Sequence, residues 1–338
     1  MSARELVGLS LPRIDAIPIE SAARGMEPNT IPVIDFRLLR SPHLATRSVV
    51  TKDIGAACQK FGCFEVVNHG ISKSVMMGAL EAASSFFELP LEEKAEIASE
   101  DVKRPVRYEG ARHDGDSNSR LLLKHYAHPL SEWIHFWPRN PPEYRERMGN
   151  YVMEVRGVAL HLLNAILESL GLSNTYIRDK LKEGMQLVAV NCYPCQQSQP
   201  DSAVGLAPHT DYGLISIVLQ NRDGLQIAAG ADGEPWKAIP ANFETLHVHV
   251  GDHLEVLSNG RYRSLLHQAV LGPEKRTSIA SIHGLAMDEK VTTPEALMDE
   301  QHPKKYRESS FRDFLDYISI THNVGGRNFI ESLKIIQD

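Results

Sequence analysis

His209-Thr210-Asp211 sets an imidazole and a carboxylate two positions apart. In a strand, residues i and i+2 project to the same side, so both groups reach one metal ion from one short stretch. His267, from a distant segment brought alongside by closure of a barrel, supplies a third ligand. Two nitrogens and one oxygen on one face of a divalent ion suit iron(II) and leave three coordination positions open, enough for dioxygen and a bidentate co-substrate. Nine residues beyond His267 stands Arg276-Thr277-Ser278, again with i and i+2 on one face. A guanidinium fork beside a hydroxyl fits the far carboxylate of a dicarboxylic keto acid, because arginine binds both oxygens and stays charged when buried.

His-x-Asp alone carries little information, since among 15 histidines roughly one such match arises by chance at average Asp frequency. Its weight comes from the fixed order: His-x-Asp, a distant His, then Arg-x-Ser, all in one strand-rich half. The plain alternative makes His209 and His267 core histidines and Arg276 a surface ion pair. A rival donor set is His247-Val-His249 with His253-Leu-Glu255, whose spacing allows a cupin-like metal site. No anion-binding pair follows it at fixed spacing, and it runs into a Ser258-Asn-Gly260 turn. The four cysteines, Cys58, Cys63, Cys192 and Cys195, read as reduced, mostly packed thiols. Cys192-Tyr-Pro-Cys195 has CxxC spacing but ends a strand-like run, which speaks against a redox motif, and the other pair has the wrong spacing for zinc.

The elements that must position these groups are legible in outline. Ile31–Phe36 is a short strand, and Val49, Val50, Ile54, Ala57, Cys58 and Phe61 follow at helical spacing up to Gly62. Phe64–Gly70 reads as a buried strand, 73–88 as a helix ending at Pro90, and 101–120 as a polar loop. The strongest helix runs from about Pro142 to Leu170 on a stripe including Met148, Tyr151, Val155, Leu162 and Ile166. After about residue 184 the period falls to 2. Short strands at Met185–Tyr193, Leu214–Leu219, Leu225–Ile227, Leu246–Val250, Leu254–Leu257, Leu265–Leu271 and Ser278–Ile282 are separated by turns such as Arg222-Asp-Gly, Ala231-Asp-Gly and Gly251-Asp. Many short strands with glycine-rich turns indicate a barrel or jelly roll, and Phe311–Ser319 adds a last helix.

At 338 residues, 42% hydrophobic and 23% charged, the chain has the makeup of a globular protein with a well-buried core. A net charge of −7 without basic blocks gives no electrostatic footing for nucleic acid or an anionic membrane. The first residues lack the apolar run of a secretory signal, and no stretch approaches the ~20 apolar residues of a membrane span. A cytoplasmic protein, with nuclear access, is expected.

Across nearly its whole length the sequence resembles the plant-type 2-oxoglutarate-dependent dioxygenases, the superfamily of flavonoid and hormone oxidases and of isopenicillin N synthase. The resemblance rests on Ile31–Phe36, Phe61–Gly70, Phe86–Lys94, Asn191-Cys-Tyr-Pro194, His209-Thr-Asp211, Gly251–Gly260, Ser264–His267 and Arg276-Thr-Ser278. It implies a mainly β fold with flanking helices: a distorted double-stranded β-helix, or jelly roll, with an N-terminal α/β region wrapped around it. The organisation expected is an extended arm over 1–30, an N-terminal region over 31–140, a scaffold helix and linker over 141–183, the jelly-roll core over 184–290 and a helical segment over 291–338. His209, Asp211 and His267 would hold iron(II). Arg276 and Ser278 would grip the distal carboxylate of 2-oxoglutarate, with Tyr193 adding a hydroxyl and Asn191 near the keto-acid end. Dioxygen would be consumed, succinate and CO2 released, and ascorbate would serve as reductant.

The chain departs from the family pattern around the pocket. Cys192 replaces a common tyrosine, Ile282 and Leu285 stand where phenylalanine and proline are usual, and Ser119-Arg-Leu121 aligns with a Trp-x-Asp. Substrate identity therefore does not transfer. A small, partly apolar metabolite such as a flavonoid or hormone is expected, most simply hydroxylated by a monomeric enzyme. Tyr108, Leu123, His125, Ile282, His283, Phe311 and Leu315 are the pocket candidates. The alternatives are an iron oxidase that does not use 2-oxoglutarate, in which Arg276 binds the substrate's own carboxylate, and a non-catalytic ligand-binding relative.

Overall fold

A computed structural model describes residues 31–110, 120–172, 175–195, 204–228, 236–321 and 329–336. The expected arm over 1–30, Ser119 and the turn at Ala231 lie outside them. Twelve strands are described: β1 (Val33–Asp35), β2 (Cys63–Val67), β3 (Val106–Glu109), β4 (Leu121–His128), β5 (Gln186–Tyr193), β6 (Val204–His209), β7 (Ile215–Gln220), β8 (Leu225–Ala228), β9 (Trp236–Ile239), β10 (Thr245–Val250), β11 (His267–Val270) and β12 (Arg276–His283). The helices are α1 (Phe36–Leu39), α2 (Leu44–Phe61), α3 (Lys73–Glu88), α4 (Leu91–Ala95), α5 (Leu130–Trp133), α6 (Tyr144–Ser169), α7 (Thr175–Lys182), α8 (Asp252–Leu257), α9 (Phe311–Thr321) and α10 (Phe329–Leu333).

Two sheets form the core. An eight-stranded sheet runs β1-β2-β10-β7-β12-β5-β4-β3 and a four-stranded one β6-β11-β8-β9. Apart from the parallel β1–β2 pair, the ladders are antiparallel. Strands from the N-terminal region thus complete both edges of the large sheet. Helices α3 and α6 contact the outer face of its centre, against β7, β12 and β5. Covered on both faces, β7 is buried at all six positions, which is why it reads as a continuous apolar run and not an alternation. Helix α6 buries Met148, Tyr151, Val152, Val155, Ala159, Leu162, Leu163 and Ile166 along one stripe, as its periodicity predicts. No helix among the described residues is long and apolar enough to cross a membrane.

Two expectations are corrected. The polar stretch over 101–120 is not all loop: β3 occupies Val106–Glu109 and pairs with β4, which the sequence reading missed. Leu254–Leu257 is not a strand but part of α8, all six residues of which are buried. A short helix with no exposed face shows neither period, so length and apolarity alone mislead.

Candidate metal centre and its cavity

Strands β6 and β11 pair so that His209 lies directly opposite His267. Their rings stand 4.2 Å apart, centroid to centroid. Asp211 follows β6 in the next turn, and its Oδ1 lies 3.8 Å from Nε2 of each histidine. One donor atom from each of the three side chains falls within 4.8 Å of the others. Closed sheet architecture therefore brings together the three groups that the spacing singles out.

Each histidine is fixed through its other nitrogen. His209 Nδ1 lies 2.8 Å from the Ala207 carbonyl and His267 Nδ1 3.0 Å from that of Leu265. A carbonyl only accepts, so Nδ1 carries the proton and Nε2 keeps a lone pair toward Asp211, the orientation metal-binding imidazoles need. Partial burial and the neighbouring His267 lower the His209 pKa, which favours the neutral ring with that lone pair free. The Asp211 turn is held by backbone: its carbonyl accepts from the Asp252 amide at 2.9 Å. Gly251 makes this approach possible, since a Cβ there would sit 2.5 Å from the Gly213 carbonyl oxygen. Asp211 Oδ2 is buried with no hydrogen-bond partner. A carboxylate with Oδ1 facing two imidazoles and Oδ2 buried without a partner fits a cation, and this donor set suits iron(II).

Beyond the triad, Arg276 is buried in β12. Its Nη2 and Nε donate to Gln220 Oε1 at 2.8 and 3.2 Å, and Nε also to the Arg222 carbonyl. The guanidinium lies over the Tyr193 ring, 4.8 Å from its centroid. Gly224 leaves room for this arm, because a Cβ would stand 2.9 Å from Arg276 Cδ. Nη1 is buried without a partner, a charged donor that calls for an anion. The register sets Arg276 against Tyr193 and Ser278 against Asn191, and all four line the same cavity as the triad.

That cavity encloses about 250 Å³. From β12 it receives Arg276, Ser278, Ala280 and Ile282, one face of a period-2 strand. His283 falls on the other face, where its Nε2 meets Ser281 Oγ at 3.0 Å. Helix α9 contributes Phe311, Phe314 and Ile318, while Leu315 turns into the core. Strand β4 contributes Leu122 and Lys124. The candidates Leu123 and His125 face the opposite way: His125 Nε2 lies 2.9 Å from the Tyr144 hydroxyl of α6 and its ring packs on Trp137. Tyr108 is likewise core, edge-on to Phe86. Of the seven proposed pocket residues, then, Ile282 and Phe311 line the cavity and the other five pack elsewhere.

Sequence reasoning also missed Arg107, Arg120, Lys124 and Gln220. Arg120 and Lys124 were legible in principle, because Arg120-x-Leu122-x-Lys124 shows the i, i+2 alternation already used for the triad. The rival donor set does not assemble. His253, on α8, bonds to the Tyr212 hydroxyl and lies 3.2 Å from Ser309 Oγ, and Glu255 accepts from the Tyr306 hydroxyl. His247 and His249 stay on β10 behind the triad, with His249 Nδ1 4.0 Å from Asp211 Oδ2. All four cysteines are free thiols, and of them Cys195 is exposed.

Comparison with known proteins agrees with this geometry. Residues 31–150 match the family described as non-haem dioxygenase in morphine synthesis, N-terminal, and residues 185–284 the 2OG-Fe(II) oxygenase superfamily. The chain is 52% identical to 2-oxoglutarate-dependent dioxygenase 21, chloroplastic, of Oryza sativa subsp. japonica, over 91% of this chain and 92% of that protein. It is 50% identical to flavanone 3-dioxygenase 3 of the same species, over 92% and 95%. Among solved structures, JOX2 in complex with 2OG, Fe and JA superposes with a TM-score of 0.78 at 24% identity, covering 90% of this chain and 89% of that one. The rice dioxygenase for auxin oxidation gives a TM-score of 0.75 at 23% identity, over 90% and 100%.

Proposed function

Because this chain belongs to the plant iron(II)- and 2-oxoglutarate-dependent dioxygenases, we propose that His209, Asp211 and His267 hold the iron and that Arg276 grips 2-oxoglutarate. The observation that carries this reading is the pairing of His209 with His267 across two strands, with Asp211 Oδ1 facing both rings and its Oδ2 buried without a partner. Iron(II) held by these three residues would supply the activation of dioxygen, with 2-oxoglutarate as the co-substrate oxidised and decarboxylated to succinate and CO2.

The protein's own side chains do the rest. The unpartnered Nη1 of Arg276 and the Ser278 hydroxyl offer donors to the distal carboxylate, with Tyr193 stacked beneath the guanidinium. Gln220 and the Arg222 carbonyl hold the arginine rigid, so little side-chain entropy is lost when the anion arrives. Asn191 stands at the other end of this row. Leu122, Leu187, Ile282, Phe311 and Phe314 line the cavity with apolar surface, which excludes water and orients a small, partly apolar substrate. Hydroxylation of such a metabolite, with ascorbate keeping the iron ferrous, is the reaction proposed, and a cytoplasmic monomer the form in which it works. The similarity to a flavanone 3-dioxygenase supports a flavonoid-like body.

A metabolite library incubated with iron(II), ascorbate and 2-oxoglutarate tests this reading. A product one oxygen heavier, formed with stoichiometric succinate, is expected. Oxidation of a substrate without succinate release would instead favour an iron oxidase in which Arg276 binds the substrate.

A further inference from the structure

Three basic side chains line the cavity: Arg107 of β3, Arg120 just before β4, and Lys124 of β4. The ladder register puts Arg107 directly opposite Lys124. Like charges facing one another across a ladder are destabilising, and both side chains are buried. Arg107 pairs with Glu109, two residues along on the same face, yet its Nε is buried with no hydrogen-bond partner. Lys124 Nζ donates to the Val102 carbonyl at 2.8 Å, and Asp101 acts on both cations from farther away. Arg120 Nη1 donates to a neutral acceptor, Asn191 Oδ1, at 3.1 Å. Among the described residues it makes no ion pair. Among the described residues one ion pair, Arg107 with Glu109, thus stands against three basic side chains on a wall whose neighbours, Leu122, Leu187, Phe311 and Ile318, are apolar. Uncompensated buried charge is costly, and a ligand anion would offset it. Arg276 is already assigned to the co-substrate and comes from a different strand, so these cations are surplus to that task.

We propose that Arg120, Arg107 and Lys124 form a substrate subsite for an anionic oxygen group, a carboxylate or an acidic phenol, carried on an apolar body. The inference rests on the cavity being the active site. The apolar wall takes the body, the cations take the charge, and the bond to be oxidised is thereby held toward the triad. Guanidinium groups suit both anions, since each offers several donors in a plane.

The test uses the iron-loaded full chain with 2-oxoglutarate and a paired library: small aromatic and alicyclic acids and phenols, each beside its methyl ester or methyl ether. Substrate-stimulated succinate release gives kcat/KM, and thermal shift without oxygen gives binding independently of turnover. Anionic members should exceed their capped partners at least tenfold in kcat/KM and in binding. That advantage should fall at least tenfold in Arg120→Gln and survive in part in Arg120→Lys. Lys124→Gln, read in the same way, serves should the first variant fold poorly. The acid arm against the phenol arm decides which anion is taken. Equal action on capped and uncapped members, no response to any anionic member, or a preference untouched in both glutamine variants would overturn the subsite alone. A higher 2-oxoglutarate requirement in Arg120→Gln with the acid preference intact would do the same, assigning Arg120 to the co-substrate. Failure of the wild-type chain to retain iron and 2-oxoglutarate would instead remove the active-site reading and the subsite with it.

Discussion

The two ends of the cavity are built on different principles. At the triad end, His209, His267 and the Asp211 turn are each fixed by backbone, and Arg276 by Gln220 and the Arg222 carbonyl. At the other end, β3, β4 and α9 present apolar side chains and cations whose placement depends on which face of each element packs against α6 and the core. On the proposed reading, chemistry common to a family sits on the first, and selectivity between substrates on the second. Substitutions at the first should therefore act on turnover and co-substrate, and those at the second on substrate choice or, on the hidden faces, on stability alone.

The largest effect separates the triad from its surroundings. His267→Ala should reduce succinate release to background while far-UV circular dichroism stays unchanged. Turnover in that variant would break the distinction at its strongest point.

A second contrast lies between cavity imidazoles and buried ones elsewhere. Burial pushes the pKa values of His125, His253 and His283 down to about 3. The native state then binds fewer protons than the unfolded chain, so this stability is present in full above an ordinary histidine pKa of ~6.5 and is lost as pH falls toward 3. At pH 5 the loss amounts to about 2 kcal/mol for each. Urea unfolding at pH 7.5 and 5.0 measures it, and His125→Phe should flatten the dependence.

A third contrast uses two adjacent positions of β4. Leu123, on the hidden face, should cost about 2–5 kcal/mol when cut to alanine, with kinetics per folded molecule unchanged. Leu122→Ala should instead shift substrate KM, as steady-state kinetics at saturating 2-oxoglutarate would show. Smallest is Arg276→Lys, where a point charge replaces a fork. The 2-oxoglutarate KM should rise on the order of tenfold, equivalent to ~1.4 kcal/mol, and kcat should hold.

The triad end was legible because its information is local. His209 and Asp211, and Arg276 and Ser278, are i, i+2 pairs whose meaning survives without knowing where the strands go. Partnering with His267 needed only closure of the barrel. The substrate end was not legible, because a period-2 strand states that two faces exist and not which one is inward. Choosing Leu123 and His125 over Leu122 and Lys124 chose the face that meets Tyr144 and Trp137. The same step put His283 in the cavity in place of its neighbours. On α9, Phe311 was found while Phe314 and Ile318, three and seven positions on, were passed over for Leu315. Helix α8 was misread because a fully buried turn of helix carries no period at all.

Iron binding by equilibrium dialysis under anaerobic conditions tests the central claim most directly. The wild-type chain should hold one iron(II) per molecule, and the doubly substituted His209→Ala, His267→Ala chain none, with the two equally folded by circular dichroism. An unchanged stoichiometry in the double variant would contradict the account.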